Sequence, residues 1–455
     1  MGTQATSGRP SRRFLAEINK MSDWTESDLI YWDEKIIEVA QDLGLDWHPI
    51  DYEIIDYQEM LGAMAYVGLP THYRHWSYGK EYERTHTLYN MGQTGLPYEM
   101  IINSNPSIAY LMRENALYIH LLTMAHCVGH SDFFKQNRMF EHTDPDNIID
   151  SFKSAAKYVR QLIEDPSIGI DRVEEILDAA HSIKYQVPRF PGIKYKTRDQ
   201  LIEVEKKKMA ADPKYQPDLT RVPLAPEYNI LRFIAEHSKG LEEWERNLIL
   251  IVEESSKYFI PQALTKVMNE GWACTIHYKI INELQLPDSL HLPFIKLHNQ
   301  VVRPHLGQLN PYHLGFKLFE KIIERDGFDE AMIVREVHND ISFLRFYCDQ
   351  EFLEEMNYFS YSFKKQKKAI TIDDISDDGG WQSVRDELIK NVGLNRVPVI
   401  FVDEVERDNT LCLTHEHDGR DLDLTYARKV YDHIVTLWKD HVKLVSIVEN
   451  EIWEF

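Results

Sequence analysis

The chain of 455 residues carries 73 acidic against 51 basic side chains, a formal net charge of −22. That balance argues against a general nucleic-acid or anionic-membrane binder, since phosphate affinity comes from clustered Lys and Arg. A hydrophobic share of 43% with 27% charged residues is that of a folded protein, and the length exceeds what one small core accommodates.

The first twenty residues are charged without an apolar stretch, so a flexible tail is expected rather than a secretory signal. No run approaches the roughly 18 apolar residues of a membrane helix. The four cysteines are scattered without framework spacing, which fits a reducing compartment and a cytoplasmic location. Residues 24–43 have helical periodicity, a capping-box start at Thr25 with Asp28, and Gly44 as the stop. The stretch 66–97, rich in aromatics, His and Gly, reads as a long irregular cover. YEMIINSNP, residues 98–106, reads as a short strand leading into a helix from about Ser107 to Phe134.

Helices are then expected near 147–164 and 170–185. Residues 187–226 hold six prolines and form a long connection with one short polar helix. Further helices fall at 227–238, 241–259 and 262–284, with Pro261 breaking or kinking the run. The loop RPHLGQLNPYHLG precedes a helix at 314–325. Beyond Asp326 the texture changes to short helices at 328–337 and 350–355 and strands at 369–373 and 397–405. A hairpin with its turn at Asp418-Gly419, a helix at 424–440 and a last strand complete the chain. The expected fold class is α+β: a tail over 1–20, a mainly helical zincin-like large domain over 21–326, and a small α/β domain over 327–455.

The most specific chemistry lies in AHCVGH and MNEGWA. His126 and His130 stand four apart, so both project from one helical face and can share one ion. A distant Glu270 would complete a two-histidine, one-carboxylate site with an open position, suited to zinc or another divalent metal. Its NEGWA setting resembles the helix that supplies the third ligand in gluzincin metallopeptidases. Histidines four apart also occur as satisfied polar residues, so the pair alone is a weak signal. Cys127 stands where the HExxH pattern has its general-base Glu, and a thiol cannot do that carboxylate's task. Glu254 or His277 would then have to transfer the proton, the alternative for Glu254 being a solvated helix face. Tyr312 and His313, with His305 in the same loop, are candidates for stabilising an oxyanion. P-loop, GxGxxG, GxSxG and CxxC patterns are absent from the sequence.

The stretches AHCVGHSDFFKQN, YFIPQALTKVMNEGWACTIHYKI and HNQVVRPHLGQLNPYHLGFKLFEKI resemble the SpoVR family, the stage V sporulation protein R group. The opening FLAEINKMSDWTESDLIYWDEKIIEVAQDLGLDWHPIDYEI and the later VPVIFVDEVERDNTLCLTHEHDGRDLDL are similar to its two ends. The resemblance implies a role in spore cortex formation or, in bacteria that never sporulate, a cytoplasmic stress module. It also implies a PrkA-type serine protein kinase and a protein with a von Willebrand-type domain as partners. It carries over no catalytic residues. Two functions follow as expectations. One is a zincin-like hydrolase of a peptide or amide bond, with a peptide or peptidoglycan-related substrate. The other is a non-catalytic regulator or scaffold working with the kinase, its metal site structural or degenerate.

Overall fold

The computed structural model describes residues 23–69, 71–91, 99–190, 192–212, 214–304, 309–364 and 369–455. The expected tail over 1–20 and the candidate His305 lie outside them. Thr25 and Asp28 cap helix α1 (Glu26–Asp42) reciprocally, and Gly44, at φ +79°, turns the chain out of it. Strand β1 (Ile50–Ile55) and helices α2 (Tyr57–Ala65) and α3 (Trp76–Asn90) follow. Much of the irregular cover expected over 66–97 is therefore helix. None of the described residues of α3 is fully buried, so it has no apolar stripe to read.

Strands β2 (Glu99–Ile102) and β3 (Ser107–Met112) precede helix α4 (Leu117–Gln136). Residues 107–112 are thus strand, not the first turns of a helix. A short, nearly continuous apolar run fits either, and here it becomes the buried central strand of the sheet β1-β3-β2. β3 pairs parallel with β1 and antiparallel with β2.

Helices α5 (Ile148–Glu164), α6 (Gly169–Ser182), the wholly unburied polar α7 (Arg198–Ala211), α8 (Ile230–His237), α9 (Glu243–Leu264) and α10 (Lys266–Glu283) come next. Pro261 does not interrupt α9. Buried Tyr258, Ile260 and Leu264 hold both sides of it, which offsets the helix bond that the proline removes. Helix α11 (Asp288–Val301), absent from the sequence reading, is followed by α12 (Pro311–Asp326), α13 (Phe328–Val337), α14 (Asp340–Tyr347) and α15 (Gln350–Glu355). The chain ends with the ribbon β4 (Phe359–Lys364) and β5 (Ala369–Ile375), helix α16 (Trp381–Lys390), β6 (Ile400–Val405), β7 (Leu411–His415), α17 (Leu424–Trp438), β8 (Val442–Val448) and β9 (Glu451–Glu454). The last four strands form one mixed sheet in chain order, parallel only between β7 and β8. The hairpin expected at Asp418-Gly419 does not form, because the chain leaves β7 at His415 and enters α17. The fold is mostly helical with small sheets.

One apolar core runs from Leu29 to Leu444, joining the carboxy-terminal sheet to the helices. At its centre α10 lies between α4 and α12, and glycines set the spacing. A methyl group on Gly271 would sit 2.3 Å from the Gly315 carbonyl carbon, and one on Gly129 2.7 Å from the Ala273 Cα. Backbones can approach this closely only without a Cβ. Polar ties fix the register of these helices. Asp340, buried on α14, accepts from the Val267 and Met268 amides (3.0 and 2.9 Å) and so caps α10. Asp132 on α4 accepts from Trp272 Nε1 (2.8 Å) and pairs with Arg335 at 3.2 Å. Among the described residues no helix is long and apolar enough to cross a membrane.

Candidate metal centre

Because α4 and α10 are buried on every side, polar side chains that meet between them must find partners there or hold something. His126 and His130 point from α4 toward Glu270 on α10, as their spacing requires. His126 Nε2 lies 3.7 Å and His130 Nε2 3.5 Å from the same oxygen, Glu270 Oε2. A fourth side chain joins them: Glu99, at the start of β2, brings Oε1 to 3.7 Å from His126 Nε2. Glu99, His126 and His130 form a group whose ligand atoms lie within 4.8 Å of one another, a spacing that could hold a metal ion.

Separations of 3.5–3.7 Å are long for hydrogen bonds. Donors about 2.0–2.1 Å from a tetrahedral ion would stand about 3.4 Å apart, so a shift of a few tenths of an ångström suits a shared cation. Two atoms support that reading: His126 Nε2 and Glu270 Oε2 are buried, stand 3.7 Å apart and have no partner within hydrogen-bond distance. The rest of each side chain is satisfied. His130 Nδ1 donates to Asn269 Oδ1 at 2.8 Å, so Nε2 is the nitrogen turned toward Glu270. Lys266, one turn before Glu270, takes Glu270 Oε1. Burial alone would raise the Glu270 carboxyl, but the Lys266 charge and the two imidazoles outweigh it and hold it well below its ordinary value. Burial likewise opposes a charge on His130, yet Glu270 raises its pKa.

His126 Nδ1 is engaged on the opposite side, 2.9 Å from His277 Nδ1. His277 Nε2 in turn lies 2.8 Å from His298 Nδ1 on α11. Burial holds His277 well below its ordinary value and His298 down to about 4, so both are neutral. Cys274, on the same face of α10 as Glu270, forms a second candidate group with His126 and His277. Burial together with Glu270 pushes the Cys274 thiol well above its usual range. The side of His126 that faces the carboxylates is the better donor set, with Glu270 Oε2 and Glu99 Oε1 each 3.7 Å from its Nε2. Cys127 is buried too, its thiol pushed up by burial and by the charge of Glu99.

Tyr312 sits beside the centre, its ring 6.3 Å from that of His126. The Glu270 charge, burial and Glu99 keep its hydroxyl protonated. His277 supports His126 from behind rather than facing the carboxylates. His313 donates its Nδ1–H to the Val302 carbonyl at 2.9 Å and shares a surface cavity with His298, so it holds the loop before α12. Glu254 is exposed on α9 and paired with Arg232 (3.0 Å) and Lys257 (3.1 Å), an ion-pair group that ties α8 to α9. It takes no part in the imidazole cluster, where the further carboxylate is Glu99.

Glu99, Lys266, Asn269 and His298 were not legible as site residues. Asn269 adjoins Glu270 inside NEGWA, and Lys266 precedes it by one helical turn, a spacing that offers a signal for each. Glu99 was the one charge in an apolar strand, also a usable sign.

The comparisons with known proteins agree along the chain. The family described as SpoVR like protein matches residues 23–397, and the SpoVR-like C-terminal domain matches residues 398–449. The relative printed as Uncharacterized protein YcgB, from Escherichia coli (strain K12), is 32% identical over 473 aligned residues, covering 93% of this chain and 92% of the relative. No solved structure matches. With both family regions found in order over the described core, the chain belongs to the SpoVR-like family.

Proposed function

We propose that this protein is a metal-dependent, zincin-like hydrolase of a peptide or amide bond, its ion held by His126, His130 and Glu270. The observation that carries the reading is the pair of orphaned buried atoms, His126 Nε2 and Glu270 Oε2, set 3.7 Å apart. Zinc or another divalent ion bound there would supply a Lewis acid that polarises a carbonyl and acidifies water. Glu99 answers the absence of a Glu after His126. Its carboxylate reaches the same gap from the sheet side and can accept the proton of an attacking water. Tyr312, kept protonated, can donate a hydrogen bond to the oxyanion that forms on the substrate. Lys266 keeps Glu270 ionised, and Asn269 keeps His130 in the tautomer whose Nε2 is free.

Burial of the cluster supports a second reading. His126, His130 and Glu270 are only 2%, 5% and 5% exposed, as in a closed structural site. Under it the protein is a regulator whose centre stabilises the fold, with a PrkA-type serine kinase or a von Willebrand-type domain protein as partner. A zinc-loaded preparation assayed on peptide and muropeptide libraries separates the two. Hydrolysis that survives in Glu254→Gln but is lost in Glu99→Gln supports the enzyme. Equal turnover by wild type and Glu99→Gln, or none by either, contradicts it.

A further inference from the structure

Behind the centre, three imidazoles stand in a row that none of the roles above requires. His126 Nδ1 meets His277 Nδ1 at 2.9 Å, and His277 Nε2 meets His298 Nδ1 at 2.8 Å. The row begins on α4, crosses α10 and ends on α11, where His298 lines a surface cavity of about 340 Å³. The rings are wedged. Phe294 is edge-on to His277 at 6.0 Å, while Tyr278 and Phe316 hold His298 at 4.7 and 5.0 Å.

A neutral imidazole has one N–H and one lone pair. Two contacts between three such rings can therefore be polarised in only two ways. In the inward sense His298 Nδ1 donates to His277, His277 Nδ1 donates to His126, and the His126 proton sits on Nε2, aimed at Glu99 and Glu270. In the outward sense His126 Nδ1 donates to His277, His277 Nε2 donates to His298, and His126 Nε2 offers a lone pair to the gap. A cation at Nε2 permits only the outward sense. Conversely, whatever stabilises the outward sense prepares the centre for a cation.

We propose that His277 and His298 are positioning residues, a hydrogen-bonded row that fixes His126 as its Nδ1–H tautomer and links the centre's occupancy to the surface cavity. This inference rests on the metal reading. His298 acts on the centre from two imidazoles away, without touching a ligand atom. When the centre is loaded, the one N–H of His298 is on Nε2; when the row runs inward, that nitrogen is an acceptor.

The test uses the full chain and zinc, titrated against a competing chromogenic chelator. His298→Phe keeps an aromatic ring but removes the acceptor for His277, and zinc affinity should fall about 10- to 100-fold, as for loss of an outer-shell partner. His298→Asn places an amide oxygen near the lost Nδ1 and should restore affinity to within a few-fold of wild type. Wild-type zinc affinity in His298→Phe overturns the row while leaving the centre standing. Equal loss in Phe and Asn variants also overturns it, since packing alone would explain both. Absence of zinc binding in the wild type removes the metal reading and the row with it. Should His298→Phe fail to fold, ¹⁵N spectra of histidine-labelled wild type decide: zinc should leave His277 and His298 as Nε2–H tautomers. Nδ1–H at His277 in the zinc-loaded protein overturns the proposal.

Discussion

Gly271→Ala is the smallest change that reaches the centre through the backbone. The added methyl would stand 2.3 Å from the carbonyl carbon and 2.4 Å from the Cα of Gly315, where about 3.5 Å is needed for carbon contact. Neither neighbour is a flexible side chain, so α10 and α12 must part by about 1 Å. Such overpacking costs about 1–3 kcal/mol, and a clash against backbone belongs at the upper end. Alanine's better helix propensity returns up to about 1 kcal/mol, leaving a net loss of roughly 2 kcal/mol. The matching control is Gly62→Ala in α2, where a methyl meets nothing within 4 Å and only the propensity gain applies. Urea unfolding followed by tryptophan fluorescence should show a lower midpoint for Gly271→Ala and an equal or higher one for Gly62→Ala. Zinc affinity should fall in the first alone, because Glu270 moves with its neighbour. A Gly271→Ala protein as stable as wild type would refute the claim that glycine contact sets the α10–α12 spacing.

Two further outcomes follow. Lys266→Met removes the charge that, against burial, helps keep Glu270 ionised; since a contacting charge shifts a carboxyl by about 1–3 units, the pH midpoint of the Glu270 carboxyl ¹³C resonance in the metal-free protein should move up by about 1 unit or more. An unshifted midpoint would mean that Lys266 does not act on Glu270. Burial holds His72 down to about 4 and His181 to about 3, both below the usual 6.5, so the unfolded chain takes up protons first as pH falls. Their stabilisation is whole above pH 6.5 and is lost on acidification toward 4, by about 3 kcal/mol for His72 alone. Asp340, pushed up to about 7 by burial, acts in the opposite sense over the same window. Urea midpoints measured from pH 7 to 4 should therefore fall less, or rise more, in His181→Phe than in the wild type; parallel profiles would contradict this.

The sequence showed the parts of the centre that follow local rules. His126 and His130 obey the four-residue helical step, and Glu270 lies in a motif whose setting marks a helix. The site's other half depends on contacts between distant segments. Glu99 reaches His126 only because β2 pairs with β3 directly before α4, and the run from Ser107 to Met112 was read as helix. His298 lies on α11, where the internal Pro293 speaks against a helix in the sequence. Conversely, Glu254 looked available on paper, but Arg232 and Lys257 claim it in space. The hairpin at Asp418-Gly419 failed for a related reason: the Asp-Gly signal is present, with Gly419 at φ +91°, yet β7 takes its partners from β6 and β8.

The proposed function requires a single cation that bridges α4 and α10. Elemental analysis of the wild type purified beside His126→Ala and Glu270→Gln tests this directly. About one equivalent of a divalent metal in the wild type, with little in either variant, is the predicted result. Equal metal content in all three proteins would contradict it.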